Sequence, residues 1–234
     1  RPFHWLPARV QWQNYATVWM NEEASMLRAF ANTLYIALFS IIGQMFISSL
    51  AAYSFAKINF KGKQVVFMLF LSSMMVPSQL TIIPRFMLFK TIGLYNNLWA
   101  IILPAFFGAT SIFMLRQFYM GLPNDLIEAA KIDGAGHLRI FLRIMLPLTK
   151  AALMSLIILA FISSWNEYMA PLIFLVKKEL YTVSQNIQWY MLDEFKEHNL
   201  TMAAATSAIV PVVILFIVGQ KYFVEGIATS GVKG

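Results

Sequence analysis

Few residues in this 234-residue chain are placed to do chemistry. Three of the eleven acids, Asp125, Glu128 and Asp133, lie in the stretch 121–136, where Gly134 and Gly136 follow them. Glu167 stands apart, as the single acid inside an apolar run bounded by Lys150 and Lys177. A charge at the centre of a membrane helix costs about 2.5–3.5 kcal/mol on insertion scales, so such an acid marks a function or a partner. Two readings stay open for it: a helix break shared with Asn166 and Pro171, or the lining of a solute path. His4, His137 and His198 are scattered without ligand spacing, which argues against a metal site. There is no cysteine, so disulfides and thiolate chemistry are excluded. The chain has no Gly-x-x-x-x-Gly-Lys-Ser/Thr phosphate loop, and Gly134 with Gly136 is far too little for a nucleotide fingerprint. No convergent carboxylate or histidine set points to an intramembrane enzyme.

The acidic stretch predicts a short helix. Asp125 can cap it, with Glu128 three residues on as capping-box partner, and Gly134 or Gly136 can end it in a left-handed turn. Helices below about 12 residues are marginal alone in water, so something must pack against this one. The small Ala129 and Ala130 side chains offer a shallow docking surface. A second amphipathic helix follows, with Leu138, Phe141, Leu142 and Met145 on one face and Arg139 and Arg143 on another. That pattern suits a membrane surface. Leu146-Pro147-Leu148 then leads into the next apolar run.

Lipid is the solvent that the composition calls for. Hydrophobic residues make up 59% and charged residues 12%, against about 25% charged in an ordinary globular domain. The net charge of +7 comes from lysines and arginines set singly between apolar runs, which fits interface anchors and not a nucleic-acid face. The runs at 29–56, 64–84, 91–115, 151–176 and 199–220 each reach the roughly 20 residues a spanning helix needs. Continuous apolarity favours helices over the alternation of a membrane strand. The chain is therefore expected to be all-α and polytopic, with five spans and prolines at 77, 84, 104, 171 and 211 that bend or pack irregularly. An odd number of spans puts the termini on opposite sides. The short basic loop Lys57 to Lys63 and the basic connection Arg116 to Lys150 place the C-terminus inside and Arg1 outside. The organisation is then an extracytoplasmic loop over 1–28 and a membrane domain over 29–226. A cytoplasmic loop at about 121–147 and an outer loop at about 177–199 interrupt the domain, and a cytoplasmic tail over 227–234 follows it.

The run Glu128-Ala129-Ala130, with Asp133-Gly134-Ala135 and then Phe141, Ile144 and Leu146-Pro147-Leu148, closely resembles the EAA loop of binding-protein-dependent ABC importer permeases. Trp165-Asn166-Glu167-Tyr168 with Pro171-Leu172-Ile173, and the ending from Gln220 to Gly234, resemble the maltose-permease type of carbohydrate importer. The resemblance covers essentially the whole chain and implies a type I ABC importer permease fold in the bacterial cytoplasmic membrane. It implies a sixth span, first in order, upstream of Arg1. It also implies a second permease subunit, two ATPase subunits that carry ATP and magnesium, and an extracellular or periplasmic sugar-binding protein, with no cofactor in this chain. Glu128, Ala129, Ala130, Asp133 and Gly134 map onto the element that docks in the ATPase. The tail Gly231, Val232, Lys233 and Gly234 is a candidate second ATPase contact, and the outer loop corresponds to the one that probes the binding protein. Trp165, Asn166, Glu167 and Tyr168 are candidate pathway residues, because sugars stack on aromatic rings and hydrogen-bond through their hydroxyls. For Trp12, Trp19 and Trp99 an interfacial aromatic belt is the plainer reading.

Overall fold

The structure is a computed structural model that describes residues 9–192 and 198–231, with side chains as far as Gln220. It is helical throughout, with no strand among the described residues. In chain order the α-helices are α1 (Gln13–Met20), α2 (Met26–Lys57), α3 (Lys63–Ser73), α4 (Ser78–Thr91), α5 (Trp99–Ala105) and α6 (Ala109–Gly121). They continue with α7 (Asp125–Ile132), α8 (His137–Leu148), α9 (Lys150–Asn166), α10 (Met169–Phe174), α11 (Val183–Leu192) and α12 (His198–Gly231).

Three stretches are long and apolar enough to cross a bilayer unaided: α2, the α5–α6 stretch Trp99–Gly121, and His198–Gln220 within α12. The run expected over 64–84 is not one span but a pair, α3 and α4, bent by 94°. Pro77 explains the break, since it disfavours helical geometry at the residue before it and has no N–H to give. It stands at the N-cap of α4 in extended backbone (ψ 131°). Pro84, Pro104 and Pro211, by contrast, are carried inside helices. The run expected over 151–176 is divided too. The 17 residues of α9 reach only about 25 Å at 1.5 Å per residue, the helix meets α8 at 76°, and it ends at Asn166. With each bent pair taken as one span, the described residues hold up to five.

The sequence of α2 makes it the central helix. Ser25 caps it through its Oγ, which accepts from the Arg28 N–H at 3.4 Å, and Lys57 complements the dipole at its last turn. Its buried face carries Ala29, Ala37, Ser40, Gly43, Ser48 and Ala52, small residues that let neighbouring backbones approach closely. At Gly43 the approach is so close that a Cβ would lie 2.1 Å from the Phe106 ring.

Apolar side chains gather at both ends of α2. At its C-terminal end Tyr53, Leu115, Tyr119, Ile127, Ile140 and Met145 form one cluster. At its N-terminal end Val18, Met26, Trp165, Tyr190 and Ala204 form another, tying α1 and α11 to α12. There the Tyr190 hydroxyl donates to Ala24 O at 3.1 Å, as does Asn186 Nδ2. Lys178 Nζ meets Glu23 at 2.6 Å and holds that exposed carboxylate below its ordinary range.

Candidate functional site

Two features stand out, one at each level of the bundle. The first is α7. Asn124, not Asp125, holds the N-cap position, and no side chain caps the helix, so the expected capping box does not form. The reason lies across the fold: the Asn124 Oδ1 that would cap accepts instead from Lys57 Nζ at 2.7 Å. The same ammonium donates to Leu122 O, also at 2.7 Å. Asp125 and Glu128 in the first turn and Lys131 in the last still complement the helix dipole.

The C-terminus closes as the sequence predicts. Gly134 takes the left-handed conformation at φ 76°, and Gly136 stays outside that region at φ −72°. Gly134 N donates to Lys131 O at 3.0 Å and Ala135 N to Ala130 O at 2.9 Å, the paired bonds of a glycine-terminated helix.

The two faces of α7 differ in kind. Ile127 and Ala130 are buried in the cluster around Tyr53 and Tyr119. Glu128, Ala129, Ile132, Asp133 and Gly134 are exposed, Ile132 at 87%. The shallow surface expected from both alanines therefore belongs to Ala129 alone, while Ala130 fixes the helix to its own domain.

The apolar face of α8 is also set differently from the periodicity. Ile140, Phe141 and Met145 point inward, whereas Leu138 and Leu142 are exposed beside Arg139 and Arg143. A π-turn over Phe141–Met145, closed by Leu146 N donating to Phe141 O, widens the helix there.

Tyr53 and Lys57 are the functional residues that sequence reasoning missed. The Tyr53 hydroxyl lies 3.0 Å from His137 Nδ1, so the last turn of α2 holds both the start of α7 and the start of α8. Lys57 was visible only as a charge ending an apolar run; nothing local to it signals a contact with residue 122.

The second feature is a cavity of about 260 Å³ within the membrane part. Its polar lining is Ser40 and Gln44 from α2, Arg85 from α4, Ser163 and Ser164 from α9, and Glu167 from the break after α9. Glu167 sits outside any span helix, in extended backbone (ψ 124°), and its Oε1 accepts from the Ala170 N–H at 3.0 Å. Glu167 thus stands at a helix break, as one of its two readings has it, and also lines this cavity.

Its neighbours do not join it there. Trp165 is 2% exposed, stacks on Phe161 at 5.4 Å and donates from Nε1 to Ala208 O at 3.0 Å, so its ring serves the core. Asn166 Nδ2 donates to Ile162 O at 2.8 Å, within its own helix, and Tyr168 is half-buried away from the cavity lining. Arg85, which in sequence merely bounded a run, faces Glu167 across the cavity and lies 5.0 Å above the Phe174 ring. Of the tail residues, Gly231 ends α12, while Val232, Lys233 and Gly234 lie outside the described residues.

A polytopic helical bundle, with a polar cavity between its spans and a short helix held at one end, is the architecture of a membrane permease. The family of binding-protein-dependent transport system inner membrane components matches residues 44–229, and the chain belongs to that family. It is the membrane-embedded permease subunit of an ABC importer, a kind of machine in which a separate ATPase and a binding protein work with the permease. The chain is 35% identical over 228 residues to the arabinooligosaccharides transport system permease protein AraQ of Bacillus subtilis, covering 97% of this chain and 81% of that one. It is 32% identical over 231 residues to the melibiose/raffinose/stachyose import permease protein MelC of the same organism, covering 97% and 83%. A crystal structure of a bacterial ABC transporter that imports the acidic polysaccharide alginate shares the fold, with a TM-score of 0.83 at 24% identity, covering 93% of this chain and 81% of that chain.

Proposed function

We propose that this permease carries a sugar or oligosaccharide from an extracytoplasmic binding protein into the cytoplasm, and that α7 is the element through which ATP-driven closure of the ATPase reaches the spans. The observation that carries this reading is the division of α7 into two faces. Ile127 and Ala130 are buried in the permease's own core, and Glu128, Ala129 and Asp133 are left exposed. A helix so anchored passes a push on its outer face to α2, α6 and α8 and does not roll or unwind under it. Gly134 closes the helix in a conformation that a bulkier residue resists.

In this reading the chain pairs with a second, different permease. Two ATPase subunits bind ATP and magnesium beneath the pair, and Gly231 to Gly234 reach toward them from a cytoplasmic C-terminus. The outer segment 177–199 meets the binding protein, and solute passes by Glu167. The carbohydrate cargo is supported by the substrates named for AraQ and MelC.

The test is uptake and ATP hydrolysis measured together in proteoliposomes holding the whole transporter. Ala129→Trp and Glu128→Trp are expected to leave ATP hydrolysis running while oligosaccharide uptake falls at least tenfold. Uptake at the wild-type rate in both variants would refute the coupling role.

A further inference from the structure

The cavity between α2, α4 and α9 holds two opposite charges that do not satisfy one another. Among the described residues Arg85 makes no hydrogen bond or ion pair, and its Nε is buried without a partner. Ser40 is 3% exposed, and its Oγ is likewise buried and unpartnered. Glu167 receives one backbone N–H on Oε1. Buried polar groups are normally hydrogen-bonded, and a guanidinium without acceptors inside a membrane domain is costly. Arg85 and Glu167, neither paired with the other, thus line one space of about 260 Å³.

We infer that this cavity is a solute subsite selective for neutral, polyhydroxylated ligands, with Arg85 and Glu167 as its recognising groups. The inference rests on the carbohydrate reading given above and adds to it the sign of the cargo's charge and the residues that read it. A sugar hydroxyl both donates and accepts. Placed between the two charges, adjacent hydroxyls accept from the Arg85 guanidinium and donate to the Glu167 carboxylate. Among the described residues Arg85 and Glu167 are the only ionisable ones lining the cavity, so its formal charges cancel. A uronate or phosphate would gain from Arg85 but face Glu167, which bars the acidic cargo that suits a lining of net positive charge.

The experiment is equilibrium binding by calorimetry to the complete permease–ATPase complex in detergent, without binding protein or ATP. The probes are raffinose as the neutral ligand and an alginate disaccharide as the anionic one. The wild-type complex is expected to bind raffinose at least tenfold more tightly than the alginate disaccharide. Arg85→Gln should weaken raffinose at least tenfold. Glu167→Gln keeps the acceptor for Ala170 N and removes the repulsion, so the preference for raffinose should narrow or reverse; a misfolded cavity would lose both ligands together. Three results would overturn the inference: unchanged raffinose affinity in both variants, tighter binding of the alginate disaccharide by the wild type, or no saccharide binding by the wild type. If the last came with oligosaccharide uptake in proteoliposomes, the carbohydrate reading would stand and this subsite alone would fall.

Discussion

Lys57 shows how one side chain sets a functional element. Its two bonds of 2.7 Å, to Leu122 O and Asn124 Oδ1, occupy the oxygen that could have capped α7 and tie the start of that helix to the last turn of α2. Hydrogen bonds to a charged group contribute about 1.5–3 kcal/mol each. Lys57→Met is therefore expected to loosen the loop without unfolding the bundle, seen as faster amide exchange over 122–128 with little change in the unfolding midpoint of the complex. Gly134 acts at the other end. A non-glycine residue at φ 76° costs about 1–2 kcal/mol, and nothing crowds the position, so the penalty is one of backbone alone. Gly134→Val should uncouple hydrolysis from uptake, and Gly134→Asn, which tolerates that conformation better, should do so less. Gly43 is limited by space and not by dihedral. Gly43→Val would drive a side chain into the Phe106 ring, and a loss of about 1–3 kcal/mol should appear as a lowered unfolding temperature in detergent.

Among the elements, α7 is the most legible in the sequence, and its anchors are the least. The acidic first turn, the alanines and the left-handed glycine are local signals, and local signals survive folding. The capping box failed because Asn124 is drawn to Lys57, a residue far off in sequence whose contact no periodicity reveals. Leu138 and Leu142 lie on the exposed edge of an apolar stripe whose other edge, Ile140, Phe141 and Met145, is buried in the cluster around Tyr53; which edge turns inward is set by the neighbouring helices and not by the period. The spans were found by their lack of charge, but the 94° bend at Pro77 and the end of α9 at Asn166 were not, since proline breaks some of these helices and is carried inside others. Arg85 and Glu167 could not be paired from sequence at all, for they come from different spans. The anchoring of α7 is testable by itself. Ile127 is 5% exposed, and Ile127→Ala should cost about 2–5 kcal/mol locally. The expected result is faster exchange over 125–132 and hydrolysis that no longer drives uptake, with the outer cluster around Trp165 and Tyr190 unaffected.

Across the whole molecule, α2 joins the two ends of the permease. Its N-terminal half packs with α1, α11 and α12, its middle borders the cavity at Ser40 and Gln44, and its last turn grips α7 and α8. In the coupling role proposed for α7, its displacement is led along this one continuous helix past the cavity to the opposite end. This follows the division of labour in the family, where the permease transmits and does not hydrolyse. The chain contains no cysteine, so a single introduced thiol reports its own surroundings without background. The most direct measurement is photo-cross-linking from Ala129→Cys, labelled with a benzophenone maleimide whose excited ketone inserts into neighbouring C–H bonds, in the assembled transporter, compared with Leu192→Cys at the end of α11. The account predicts a cross-link from position 129 to the ATPase, with a yield that changes on ATP binding, and none to the ATPase from position 192. A transporter that hydrolyses ATP and takes up its cargo, yet never joins position 129 to the ATPase, would contradict it.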